Sequence, residues 1–244
     1  MGYIAYAALF TFIMCLVILI YTSFTSKIKE NAREKIIKIT IPEDLDYDSL
    51  FDEVFEKYII VEDALKFAAA AHRGAVRKGT KIPYFAHPME VVSICREMTD
   101  DAEVLSAAAL HDTLEDTDTT FDELEFLFGE RVANLVGAES ENKRRNESAE
   151  ATWHVRKEEN ISHALAAGKD AKIIMLADKL SNMRSSLRDF HNKGDDMWDK
   201  FNMKDPVQQK WYYTSILGVL SEFSDTAEYK EAQEIIEEIF KEVV

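Results

Sequence analysis

Ala107–Asp116 reads AAALHDTLED and sets one histidine and three carboxylates within its last six positions. On a regular helix, turning about 100° per residue, His111, Asp112, Glu115 and Asp116 would share an arc of about 140°. The apolar run before them should bury that helix, and four such groups in a core are costly unless a cation compensates them. The ordinary alternative for an ED pair is a solvated face at a helix end. His87 stands in PYFAHPMEV, where Pro88 suits the first turn of a helix and places His87 at its start. Asp178 interrupts the mostly apolar run IIMLADKLSNM, with Asn182 one turn on and on the same face. His87, His111, Asp112 and Asp178 together make a mixed nitrogen and oxygen donor set from three helices. Such a set suits Mn²⁺, Fe²⁺ or Zn²⁺ better than thiolate chemistry would. A metal ion of that kind makes a nucleophile of water near neutral pH, and a neighbouring carboxylate can take the proton.

The elements that must position these residues read as helices. Apolar residues recur at three- and four-residue steps over 61–75, 88–98, 102–116, 121–138, 153–167, 170–190, 207–222 and 229–243. Thr120-x-x-Glu123 is a capping box, and Gly129 and Gly168 fall at helix ends. Only 8 Gly and 4 Pro occur in 244 residues, too few for a turn-rich sandwich or barrel. With 47% hydrophobic and 30% charged residues, a packed core is easily supplied. The expected fold of residues 61–244 is an all-α bundle.

The start of the chain differs in kind. Residues 1–26 carry no charge, and Tyr3–Phe24 is apolar or neutral throughout. At about 1.5 Å per residue those positions reach roughly 33 Å, the thickness of a bilayer core. A transmembrane anchor is therefore expected over 1–26. The next stretch, KIKENAREKIIK (27–38), sets five basic residues against two acidic ones, a local charge of +3. By the positive-inside rule this flank stays in the cytoplasm, making a single-pass protein of the inner or plasma membrane with a cytoplasmic body. Residues 27–60 are read as a basic juxtamembrane segment and linker, beginning extended around Pro42 and continuing as a short amphipathic helix.

Net charge is −16, which makes the chain a poor general binder of DNA or RNA. Against that background the basic clusters RKGTK (77–81) and NKRR (142–145) are informative, since an anionic substrate needs basic side chains facing it. TWHVRK (152–157) could add a rim through Trp153, Arg156 and Lys157. The two cysteines, Cys15 and Cys95, both lie in apolar settings and read as buried free thiols.

Taken together, AAHRG (70–74), RKGTKIPYFAHP (77–88), ALHDTLEDTDTT (109–120), FGERVANLV (128–136) and LADKLSNMR (176–184) resemble the HD-domain phosphohydrolases. The likeness is to the hydrolase half of the RelA/SpoT-type alarmone enzymes and to the small stand-alone alarmone hydrolases, and it covers about residues 61–190. It implies His87, His111, Asp112 and Asp178 as ligands of one metal ion, typically Mn²⁺. It implies that Glu115 and Asp116 orient or deprotonate the attacking water. Arg77 and Lys78 would line the nucleotide, Asn182 and Arg184 would stand on the substrate side, and His72 would lie near the site. Lys143 is a stand-in for a family lysine, because GAESENK (137–143) departs from the G-V-T-K pattern of the long enzymes. The Arg77-to-His87 spacing is one residue longer than in those enzymes, and no synthetase or regulatory part is present. The implied activity is that of a guanosine-3′,5′-bis(diphosphate) 3′-pyrophosphohydrolase acting on a small phosphorylated nucleotide. The alternatives are an HD hydrolase of another phosphorylated nucleotide or cofactor, and a non-catalytic membrane-anchored nucleotide sensor. Homo-oligomerisation is left open.

Overall fold

A computed structural model describes residues 47–243 except 142 and 145, with side chains from Lys57 onward. The expected membrane anchor over 1–26, the basic flank and the turn at Pro42 lie outside the described residues. Among the described residues no helix is long and apolar enough to cross a membrane.

Ten α-helices are described: α1 (Tyr47–Ala71), α2 (Ala86–Met98), α3 (Ala102–Leu110), α4 (Thr113–Asp116), α5 (Phe121–Phe128), α6 (Glu130–Glu139), α7 (Trp153–Ala166), α8 (Lys169–Lys193), α9 (Pro206–Val219) and α10 (Ala227–Ile239). Two short 3₁₀ segments, Gly194–Lys200 and Ser221–Phe223, flank α9. No strand is found among the described residues, only an isolated bridge between Val76 and Pro83. The all-helical expectation therefore holds for them. Helix α1 runs without a break through residue 60, where the sequence suggested that a linker ends. Phe55–Val244 form one unit.

Helix α8 is the axis of that unit. Ile173 through Ser181 are buried without interruption, so every face of the helix meets protein. It packs against α2, α3, α6, α7, α10 and the 3₁₀ segment after it. Val104–Leu110 of α3 are likewise all buried. A helix that is apolar on all sides belongs in a core, as α3 does, and α8 lies beside it, buried all round while carrying Asp178, Lys179 and Ser181. Asp101 caps α3 by accepting from the amides of Glu103 and Val104, and Thr120 caps α5 by accepting from Glu123, the capping contact expected there. Within the periodic stretch 121–138 the chain breaks at Gly129, the helix end that the sequence placed there. Its φ of +88° is costly for any residue with a Cβ.

The other break falls at the site. The sequence suggested one helix through 102–116, yet α3 ends at Leu110 and α4 begins at Thr113. The His111 ring nitrogen Nδ1 bonds the Ala108 carbonyl at 2.8 Å, and the Thr113 hydroxyl donates to the Leu110 carbonyl at 2.7 Å. Side chains thus take up carbonyls that a continuing helix would use, and Asp112 settles at φ −92°, ψ −5°. The regular-helix arc for His111–Asp116 is corrected accordingly: His111 and Asp112 project from the corner, and Glu115 and Asp116 from α4.

Core packing should outweigh surface charge in stability. Arg131 meets Asp101, Glu103 and Asp170 at 2.5–3.1 Å, but its side chain is 41% exposed. Arg131→Ala should cost no more than about 1 kcal/mol. Ile174→Ala, in the fully buried stretch of α8, should cost about 2–5 kcal/mol. Urea denaturation of both variants tests the ranking, and equal losses would contradict it.

Candidate metal and hydrolytic site

Two helices and one corner bring four side chains to a point. His87 comes from the first turn of α2, as Pro88 suggested, and Asp178 from the middle of α8. His111 and Asp112 come from the corner between α3 and α4. The Nε2 atoms of His87 and His111 lie 3.2 Å apart. Asp178 Oδ1 is 3.0 Å from the first and 3.7 Å from the second. Asp112 Oδ2 is 3.5 Å and 3.0 Å from the same two atoms. Both histidines and Asp178 are buried, and one donor atom from each falls within 4.8 Å of the others.

Hydrogen bonding fixes which nitrogens face inward. His111 Nδ1 must donate, because its partner is the Ala108 carbonyl, an acceptor only. That leaves the Nε2 lone pair pointing at His87. Two imidazole nitrogens and two carboxylate oxygens facing one another require a cation. A proton bridges two of them, whereas a transition-metal ion satisfies all four. The residues therefore fit a divalent metal. Without one, a proton is held tightly. Burial opposes charge on His111, but the Asp112 and Asp178 carboxylates prevail and push its pKa up to about 10. Burial likewise opposes ionisation of Asp178, and Lys179, whose Nζ lies 2.6 Å from Oδ2, with His87 holds its pKa well below the usual range.

The expected water-handling pair sits beside this cluster. Lys143 Nζ lies 3.3 Å from Glu115 Oε1 and forms a close ion pair with Asp116. Burial raises the pKa of Glu115, with Lys143 working against it. Tyr84 was quoted in the sequence motif but given no role. Its hydroxyl donates to Asp112 Oδ2 at 2.6 Å and reaches Asp116 Oδ2 at 3.4 Å. It ties the donor set to the acidic pair. His72 packs its ring against Tyr84, centroids 4.7 Å apart, and burial lowers its pKa.

The expected substrate-side residues divide. Arg77 Nη2 donates to Asn182 Oδ1 at 2.8 Å, and Asn182 Nδ2 donates to Asp178 Oδ1 at 2.7 Å, so Asn182 bonds the donor set and Arg77 is linked to it through Asn182. The hairpin-like loop bearing Arg77 turns at Gly79, where φ is +74°. Lys78 is exposed and donates to Asn202 at 3.1 Å. Arg184 is engaged elsewhere: its Nε and Nη2 each bond Glu231 of α10 at 2.6 Å. Within NKRR, Lys143 reaches the acidic pair while Arg144 pairs with Glu159. Arg156 and Lys157 are both held by Glu141. Sequence reasoning also missed Lys179, Ser181, Glu90 and Glu139. The last ends α6, is 7% exposed, and has no hydrogen-bond partner for Oε1 among the described residues. Burial outweighs the nearby Lys179 and pushes its pKa up to about 8.

A helical bundle with two histidines and two aspartates converging from sequence-distant elements defines a class, and comparison gives its name. The chain belongs to the HD-domain family, whose model matches residues 64–207. Among its relatives, the guanosine-3′,5′-bis(diphosphate) 3′-pyrophosphohydrolase MESH1 of Danio rerio is 40% identical over 129 residues, 51% of this chain and 68% of that protein. The guanosine-3′,5′-bis(diphosphate) 3′-pyrophosphohydrolase of Aquifex aeolicus is 34% identical over 153 residues, 62% of this chain and 21% of that much longer one. A solved structure described as a metazoan ortholog of SpoT that hydrolyzes ppGpp superposes with a TM-score of 0.57 at 28% identity, covering 75% of this chain and 95% of the other.

The buried Glu139 generates a prediction with a definite sign. Its pKa is raised on folding from an ordinary 4.5 to about 8, so both states hold the proton below pH 4.5, and between pH 4.5 and 8 only the unfolded chain releases it, which costs the fold stability as pH climbs. In chelator, the stability gained by Glu139→Gln should grow across pH 4.5–8 by up to about 1.4 kcal/mol per unit. Melting curves at fixed ionic strength measure it, and a gain that ignores pH would contradict it.

Proposed function

We propose that this chain is a metal-dependent guanosine-3′,5′-bis(diphosphate) 3′-pyrophosphohydrolase using Mn²⁺ held by His87, His111, Asp112 and Asp178. The observation that carries the reading is the meeting of those four donor groups beside the Glu115–Asp116 pair, in a chain that over 129 residues is 40% identical to a relative so named. When bound, the ion lowers the pKa of a water molecule and draws charge from a phosphoryl oxygen.

The chain's own residues divide the remaining work. Glu115 serves as the base: burial raises the pKa of its carboxyl, which strengthens it as a proton acceptor. Asp116, paired with Lys143 and bonded by Tyr84, holds that lysine and the phenol in place. Arg77 and Asn182 form one bonded arm on the nucleotide side, and Lys78 stands at its outer edge. Lys143 supplies positive charge where the pyrophosphate transferred to water would sit. In the reaction, a water oxygen bonds to the phosphorus on O3′, the O3′–P bond breaks, and the 3′-oxygen takes up a proton. GDP or GTP and pyrophosphate result.

The second part of the proposal concerns location. The uncharged 1–26 stretch and the +3 flank support a single span of the inner or plasma membrane, with the HD domain in the cytoplasm.

Incubation with ppGpp and Mn²⁺ should release pyrophosphate and no inorganic phosphate. Glu115→Gln should keep the metal and lose kcat by roughly 10²–10⁴-fold. Phosphate as the product, or ppGpp left intact by a metal-loaded chain, would refute the substrate. The full chain should pellet with membranes and resist carbonate extraction, while a chain starting near Ile39 should not. Full-length protein in the supernatant would refute the anchor.

A further inference from the structure

His87 is held from behind by a chain of bonds that the catalytic reading does not use. Its Nδ1 lies 2.9 Å from the Ser181 hydroxyl oxygen, in a buried contact between α2 and α8. The Ser181 hydroxyl in turn donates to Glu90 Oε2 at 2.9 Å. A serine hydroxyl carries one hydrogen. With that hydrogen directed at Glu90, only lone pairs are left for His87, so Nδ1 must be the protonated nitrogen of the ring. Nε2 then faces Asp178, Asp112 and His111 with its lone pair.

Glu90 is itself placed by more than its own helix. It follows His87 by three residues on α2, and its other oxygen, Oε1, lies 3.6 Å from Arg184 Nη1. Arg184 is locked on its far side by Glu231 of α10. The relay thus runs from the C-terminal helix through Arg184, Glu90 and Ser181 to the ring that must present a lone pair.

We propose that Glu90 and Ser181 are positioning residues that act through His87, fixing its tautomer and ring angle for metal binding. The proposal rests on His87 being a metal ligand, and not on which nucleotide is hydrolysed. Without the Ser181 oxygen the buried Nδ1–H loses its acceptor. The ring can then shift its proton to Nε2, where it blocks a coordination position. Partners of ligating histidines commonly change metal affinity by roughly 10- to 100-fold when removed.

Mn²⁺ titrated into the purified full chain, with free Mn²⁺ followed by electron paramagnetic resonance, tests this directly. Ser181→Ala and Glu90→Ala should weaken binding by roughly 10- to 100-fold. Glu90→Gln, whose amide oxygen still accepts from Ser181, should recover part of that loss. The nitrogen-15 signature of a protonated His87 Nδ1, seen in the metal-free native chain, should vanish in Ser181→Ala. A merely structural contact would not move that signal. Native affinity in both alanine variants, or equal losses in Glu90→Gln and Glu90→Ala, would overturn the relay. Glu90 is partly exposed, so its variants test the idea even if Ser181→Ala folds poorly. Failure of the native chain to take up Mn²⁺ would overturn the metal site and the relay with it. Uptake of Mn²⁺ without ppGpp hydrolysis would refute the substrate alone and leave the relay standing.

Discussion

Two imidazole nitrogens 3.2 Å apart, pressed between two carboxylates inside a helical core, are the constraint to which the rest of the structure answers. Each group would be better solvated in water, and together they are tolerable only around a positive charge. The surroundings supply part of it: Lys179 bonds one oxygen of Asp178, and the Tyr84 hydroxyl bonds Asp112. What remains inside is a set of lone pairs with a common focus. The core therefore carries a local instability that binding a cation removes, which is how a fold comes to prefer its loaded form.

The architecture is the means of imposing that arrangement. Helix α8 can present Asp178 from its buried middle because apolar packing on every side holds the helix against displacement. Helix α2 begins one residue before His87, so the imidazole leaves a rigid first turn and not a loop. The corner after Leu110 gives what a regular helix could not, turning His111 and Asp112 toward one focus while α4 aims Glu115 and Asp116 beside it. The corner is held open by a side chain of the donor set itself: His111 uses Nδ1 on the Ala108 carbonyl and leaves Nε2 for the site. Local structure and chemistry are set there by one residue.

Much of this was readable from the chain. The helical periods, the cap at Thr120 and the start of α2 at Pro88 follow from residue type and spacing, while the meeting of His87, His111, Asp112 and Asp178 was implied by the family resemblance. The corner at His111 was not legible, because competition between side-chain and backbone donors for a carbonyl leaves no trace in hydrophobic period. Nor was the employment of the charged residues. Arg184 and Lys143 read alike as basic side chains near a motif, yet Glu231 engages the first and the acidic pair the second. Pairing depends on sequence-distant neighbours, 47 residues apart in the case of Arg184. Tyr84 and Ser181 were within quoted motifs and carried no charge to draw attention. Their roles exist only once the Asp112 and His87 side chains are set beside them.

A chain of net charge −16 holding a polyphosphate looks contradictory until the range of the field is considered. At physiological ionic strength charges are screened beyond about 8 Å, so a ligand in a cleft responds to its neighbours and not to the total. Near the donor set stand Arg77, Lys143 and Lys179 against Asp112, Asp178, Glu115 and Asp116, and burial shifts Glu115 toward its neutral form. Three cations and a divalent ion outweigh that group of carboxylates, whereas without the ion the three cations and the proton held on His111 roughly balance it. The site is thus more attractive to phosphate when loaded than when empty. A nucleotide small enough to lie within that range experiences the local balance. A nucleic acid, whose phosphates would extend past it along the surface, meets the acidic remainder of the chain.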